Sequence, residues 1–152
     1  MRRRLLLLVF ALLALLFVAV SALLARAFSV DGAERSAVIA LVEAQARGDA
    51  GAVLSELYRC RQRPACRLRA RTNAATLKRA GPVSILQLEP SSGFSLTGST
   101  GSARVAWSVG RSRPIVQCVQ VRRAGNVLRG LRVELLALTP RLKSDAHCPA
   151  RF

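Results

Sequence analysis

The 152-residue chain predicts an α+β domain carried on a membrane-spanning helix. Residues 5–25 form an apolar run without a charge, residues 31–80 carry helical periodicity and capping residues, and from residue 83 β-branched runs alternate with Gly, Ser, Pro and Asn turns. Helices followed by strands describe two to three helices packed on a curved antiparallel sheet of four to five strands. The order divides the chain into a cytoplasmic tip and span over 1–28, an α+β domain over 29–138, and a C-terminal tail over 139–152 tied back by a disulfide.

The span reads LLLLVFALLALLFVAVSALLA from Leu5 to Ala25. Its length matches the roughly 20 residues that cross a hydrocarbon core as a helix, whereas a secretory signal has an apolar core of about 7–15. Val20-Ser-Ala22 and Ala25-Arg-Ala27 have the small residues of cleavage sites, but the length favours an uncleaved anchor. Arg2, Arg3 and Arg4 belong on the cytoplasmic side, which leaves the remainder extracytoplasmic. That remainder is itself basic, yet a long domain translocates largely regardless of charge, and Asp31 and Glu34 lie in the flank nearest the span.

Asp31-Gly-Ala-Glu34 has the spacing of a capping box and predicts the start of a new helix. Val38, Ile39, Leu41, Val42 and Ala46 then mark one apolar face, and Gly48 is placed to end the helix in a left-handed conformation. Asp49 caps a second helix bearing Val53, Leu54, Leu57 and Tyr58, which must stop before Pro64. A third helix is expected from about residue 65 to Ala80, with a break at Thr72-Asn73, ended by Gly81-Pro82.

Strands are expected at Val83–Leu88, Phe94–Thr97, Ala103–Val109, Ile115–Val121 and Val127–Leu138. Turns are expected at Pro90–Gly93, Gly98–Gly101, Gly110–Pro114 and Ala124–Asn126. Gly98-Ser-Thr-Gly101 lacks the lysine and following helix of a phosphate loop and reads as a hairpin turn.

The helix Val38-Ile-Ala-Leu-Val-Glu-Ala-Gln-Ala-Arg-Gly-Asp49, a second helix ending near a cysteine, a third before Gly-Pro, and a closing meander resemble the nuclear transport factor 2-like, or cystatin-like, α+β cone superfamily. Within it the chain is most similar to small anchored extracytoplasmic members from bacteria. The resemblance covers residues 31–138. It implies the cone fold but no single function, because members include enzymes, binding modules and accessory proteins. Enzymatic members often place an aspartate with a histidine or tyrosine between helices and sheet; here the candidates for such a pocket are Tyr58, Trp107 and Glu134. Core packing is the simpler reading of the two aromatics.

Four cysteines in an exported domain point to disulfides. Three connectivities exist for four cysteines. Cys60 and Cys66 bracket Pro64 within one helix connection, and a tail reversing at Pro140 lays Cys148 near Cys118, so these two pairs are expected. Zinc is disfavoured because neither the Cys60/Cys66 nor the His147/Cys148 spacing fits paired ligands. A His147–Cys148 nucleophile pair lacks a framework to hold base against thiol. Glu43, Glu56 and Glu89 show no acid–base partner, and no catalytic residue, metal or cofactor is assigned.

Lys+Arg number 24 against 8 Asp+Glu, a formal charge of +16 that attracts anionic polymers and lipid without conferring specificity. Arg61, Arg63, Arg67, Arg69 and Arg71 are the candidate anion-binding residues. On a helix Arg67, Arg69 and Arg71 fan out instead of sharing one face, and no aromatics interleave with them for base stacking. The expected partners are therefore the membrane through residues 5–25 and an anionic polymer or envelope protein. The expected function is a membrane-anchored, non-catalytic binding or accessory domain. The alternatives are a binder of anionic envelope polymer or nucleic acid, and a small pocket enzyme of the same fold.

Overall fold

A computed structural model describes residues 2–91, 97–126, 130–143, 146–150 and 152. Four helical elements, α1 (Arg2–Arg47), α2 (Ala50–Glu56), a short 3-10 turn (Cys60–Gln62) and α3 (Pro64–Thr76), precede strands β1 (Val83–Glu89), β2 (Thr97–Val109), β3 (Ile115–Asn126) and β4 (Gly130–Leu138). The strands form one antiparallel sheet in the order β1-β2-β3-β4. The chain is thus α+β, with a long apolar N-terminal helix, further helices and a four-stranded meander.

The first correction concerns α1. It runs unbroken through Asp31-Gly-Ala-Glu34, so the capping box does not start a helix. Amide hydrogens inside a continuous helix already bond four residues back, and the Asp31 carboxylate finds none to cap. The 46 residues of α1 extend about 69 Å, and the window within it apolar enough to cross a membrane has mean hydropathy 3.1 and no buried residue. A helix apolar on all sides and unpacked by protein is suited to lipid.

The end of α1 follows its residues closely. Gly48 has φ +75° and donates to the Gln45 carbonyl at 2.9 Å, while Asp49 donates to that of Ala44 at 3.0 Å. This is a Schellman cap. The Asp49 carboxylate then accepts from the Ala52 amide at 2.9 Å and caps α2. Pro64 occupies the first turn of α3, where its missing N–H is harmless. That helix passes Thr72-Asn73 without a break and ends at Leu77, short of Ala80. Asn73 is retained inside it because its side chain is buried and donates to the Thr139 carbonyl at 2.8 Å.

Two stretches expected as turns are strand. Gly98–Gly101 lies in β2, where a side chain at Gly98 would meet the Arg123 carbonyl at 2.8 Å and one at Gly101 would strike the Ser91 backbone. These glycines serve close backbone approach inside a sheet. Ala124–Asn126 continues β3, with Gly125 paired to Leu131 and Asn126 to Gly130. The expected strand residues 94–96 and 127–129 lie outside the described residues.

The core forms between α1 and the sheet. Ile115, Gln117, Val119, Val121 and Arg123 alternate along the β3 face turned toward α1, and all are buried. Val38, Leu41, Val42, Val53 and Leu57 meet them from the helices, with Trp107, Val105 and Leu135 from neighbouring strands. The other face of β3 is covered by the tail. Residues beyond β4 stay beside β3 as far as Leu142, which bridges to Val116, and Cys148 then returns to bond Cys118 with a Cα–Cα distance of 5.6 Å.

Candidate functional site

The turn between α2 and α3 is fixed from several directions. Leu57 bridges in parallel to Leu135 and the Tyr58 amide donates to the Leu135 carbonyl at 2.7 Å, which docks the turn on the edge of β4. Arg59 takes a left-handed conformation at φ 50°, and Cys60 is joined to Cys66 with a Cα–Cα distance of 5.3 Å. Arg63, at the N-cap of α3, donates to the carbonyls of Tyr58 (2.8 Å) and Leu136. Arg67 donates to the Arg61 carbonyl at 3.0 Å.

The five arginines named from the sequence are all exposed on this corner. Arg63 and Arg67 also direct guanidinium donors at backbone carbonyls and hold the corner together. Beneath the corner lies a surface cleft of about 340 Å³ with mainly apolar walls. Arg63 and Arg69 border it on the α3 side, Leu138, Pro140 and Leu142 on the strand side, and Phe152 comes from the tail. Its volume falls at the small end of the range, about 300–1,000 Å³, of ligand-sized clefts.

Tyr58 and Glu134 come together through Arg122. The Arg122 guanidinium lies 5.1 Å from the Tyr58 ring centroid and its Nε donates to Glu134 at 2.7 Å; Arg59 approaches the same ring at 5.2 Å. The hydrogen bond to Glu134 raises the Arg122 pKa above its ordinary value. Trp107 is on the opposite side of the sheet. It is fully buried, and its Nε1 donates to Gln117 Oε1 at 3.0 Å, so it does not share a site with Tyr58 and Glu134.

The space between α1 and the sheet is crossed by a chain of amides. Gln117 Nε2 donates to Gln45 Oε1 at 3.0 Å and to the Thr139 carbonyl at 3.1 Å, and Thr139 Oγ1 accepts from the Cys118 amide at 2.9 Å. Among the described residues no buried side-chain nitrogen or oxygen lacks a partner, so each buried polar side-chain atom there makes at least one hydrogen bond within the protein.

Near the span, a second polar cluster joins the same two elements. Arg123 donates to Glu34 Oε2 from Nε at 3.0 Å and from Nη2 at 2.8 Å, and to Asp31 Oδ1 at 2.6 Å. Glu34 also accepts from the Ser91 amide (2.7 Å) and hydroxyl (3.0 Å). The side chains of Arg123 and Glu34 are only 4% and 2% exposed. Burial alone would lower the Arg123 pKa, but Glu34 and Asp31 outweigh it and the net shift is upward. Sequence reading passed over this cluster. Its signal was present: Glu34, Val38, Leu41 and Gln45 share one helical stripe, and Gln117 and Arg123 occupy inward strand slots.

Among the described residues no three of His, Cys, Asp and Glu gather as a metal site, and all four cysteines are in disulfides. His147 is exposed. No protein-family model, curated protein or solved structure matches the chain.

Proposed function

We propose that the chain is a membrane-anchored extracytoplasmic domain that binds a partner without catalysing a reaction, on a nuclear transport factor 2-like scaffold. The observation that carries this reading is the filled interior: Trp107, Gln117 and Gln45 occupy the space between α1 and the sheet and satisfy one another. A binding function then falls to the surface, and the mainly apolar cleft beside Arg63 and Arg69 has the shape for it. The helices-then-meander order supports the scaffold, and two disulfides suit an oxidising compartment. The apolar run of α1 supports the anchor.

The test is site-specific photo-crosslinking of the full chain in its native membrane. A crosslinker at Phe152, which lines the cleft and is 41% exposed, is expected to give a discrete adduct, and one at Gly110 on the β2–β3 turn is not. Equal labelling at both positions would reject the cleft as a docking surface. Protease added from the outside should degrade the domain while sparing residues 5–25; protection of the domain would reverse its proposed location.

A further inference from the structure

The sheet has a definite height relative to the span. β3 runs antiparallel to α1: Gln117 meets Gln45, and six residues later Arg123 meets Asp31 and Glu34. Each strand residue thus corresponds to about two helix residues, as rises of about 3.3 and 1.5 Å per residue require. Three residues past Arg123, Asn126 and its partner Gly130 stand level with about residue 26 of α1. The uncharged run ends at Ala25. β2 begins at the same level, because Thr97 pairs with Asn126.

Basic residues surround this level. Arg132 is exposed and paired to Ala124, which places it level with about residue 30, some 7 Å beyond the apolar run and within the headgroup layer, about 5–7 Å thick on each side of a bilayer. Arg35 is exposed on α1 about 15 Å beyond the run, and helical side chains lean toward the N-terminus, here toward the bilayer. The acidic groups nearby are occupied: Glu34 and Asp31 by Arg123, and Glu89 by a 3.8 Å pairing with Arg104. A small cleft of about 280 Å³ opens beside Arg35, walled by Leu88 and Pro90.

We propose that the end of the sheet defined by Asn126 and Gly130 rests on an anionic lipid surface, so that the domain makes a second membrane contact through Arg132, while Arg35, farther out on α1, adds attraction to the same surface. The contact rests on the anchor reading of α1. Its occupant is the bilayer in which α1 itself sits, because a helix unbroken from the span to Arg47 holds the sheet end at the height where the apolar run stops. Arginine forks pair with phosphate oxygens, and the paired carboxylates of the rim add little opposing charge.

Full-length chain in lipid nanodiscs containing a headgroup-nitroxide lipid provides the test, read as paramagnetic broadening of backbone amides. In discs of anionic phospholipid, the amides of Ala124–Asn126 and Gly130–Arg132 are expected to lose most of their intensity, while those of Gly110–Ser112 at the far end keep theirs. The double variant Arg35→Glu/Arg132→Glu should restore the rim intensities with core amide shifts unchanged. Zwitterionic discs should give weaker rim broadening with the unaltered chain, a comparison that needs no variant. Rim amides as sharp as those of Gly110–Ser112 in a chain that stays in the anionic disc would overturn the contact alone. Equal rim broadening in both lipids would overturn the role of the two arginines. A chain that leaves the disc would refute the anchor, and the contact with it.

Discussion

α1 and β3 are joined by polar side chains at two heights, and the two joints are chemically opposite. Far from the span, Gln45 and Gln117 meet as neutral amides, extended by the Trp107 indole. Near it, Glu34 and Arg123 meet as buried charges reinforced by Asp31 and Ser91. An amide chain tolerates loss of a member at the expense of single unsatisfied hydrogen bonds, whereas a buried ion left alone keeps its full desolvation penalty. The charged joint is therefore the more fragile to substitution, although it need add no more net stability than the neutral one. It also fixes register, because Arg123 one strand residue out of place would face away from the helix.

The largest effect is expected from Glu34→Ala, which leaves the buried Arg123 with only the half-exposed Asp31 as a charge partner: about 3 kcal/mol of destabilisation, read as a lowered urea midpoint of the full chain in nanodiscs. Gln117→Ala should follow at about 2–3 kcal/mol, since it orphans the Trp107 N–H and the Gln45 carbonyl, and its Trp107 emission should change with it. If the neutral variant proves the worse, the contrast between the joints fails. Arg63→Gln should cost about 1 kcal/mol by releasing the corner from Tyr58 and Leu136, measured in the same titration. Asp31→Asn, at a carboxylate half open to water, should cost about 1 kcal/mol or less. Smallest of all, Arg61→Gln with Arg69→Gln and Arg71→Gln should leave stability within about 0.5 kcal/mol while weakening salt-sensitive binding to DNA and heparin-like polymer alike.

The elements were legible wherever a residue type has one local use. Gly48 and Pro64 punctuate helices by backbone geometry and Asp49 by a local side-chain cap, and each does so here. The cysteine pairs could be anticipated from their places beside Pro64 and in the tail, although the chain does not reverse at Pro140 as expected: it follows β3 to Leu142 before Cys148 returns to Cys118. Misreadings arose where the same residue type answers to distant partners. Asp31 and Glu34 have capping-box spacing, but a helix arriving from the span removes the free amides and Arg123 supplies a partner in another element. Gly98 and Gly101 look like a turn, yet their lack of side chains lets backbone from elsewhere lie against the strand. The arginine corner was visible as a charge pattern; that Arg63 bonds a carbonyl of β4 depends on where that strand passes, and that Arg67 bonds the Arg61 carbonyl depends on the fold of the turn. Tyr58 and Glu134 could be named as polar candidates, but the arginine joining them could not be chosen from 24 basic residues by spacing.

A helix without a joint between span and domain acts as a ruler. On the proposed anchoring, β4 would rise from Gly130, near the bilayer surface, to Leu138 at the cleft, a climb of eight residues or about 26 Å. Anything seated between Leu138 and Arg69 is held at that altitude, and the search for it becomes two-dimensional for a partner moored in the same membrane. A partner whose docking segment projects less than that distance cannot engage, whatever its affinity in solution. Lengthening α1 between Ala25 and Val30 by a full turn would raise the whole platform by about 5 Å and turn the cleft by little, which makes altitude adjustable separately from the chemistry of the cleft.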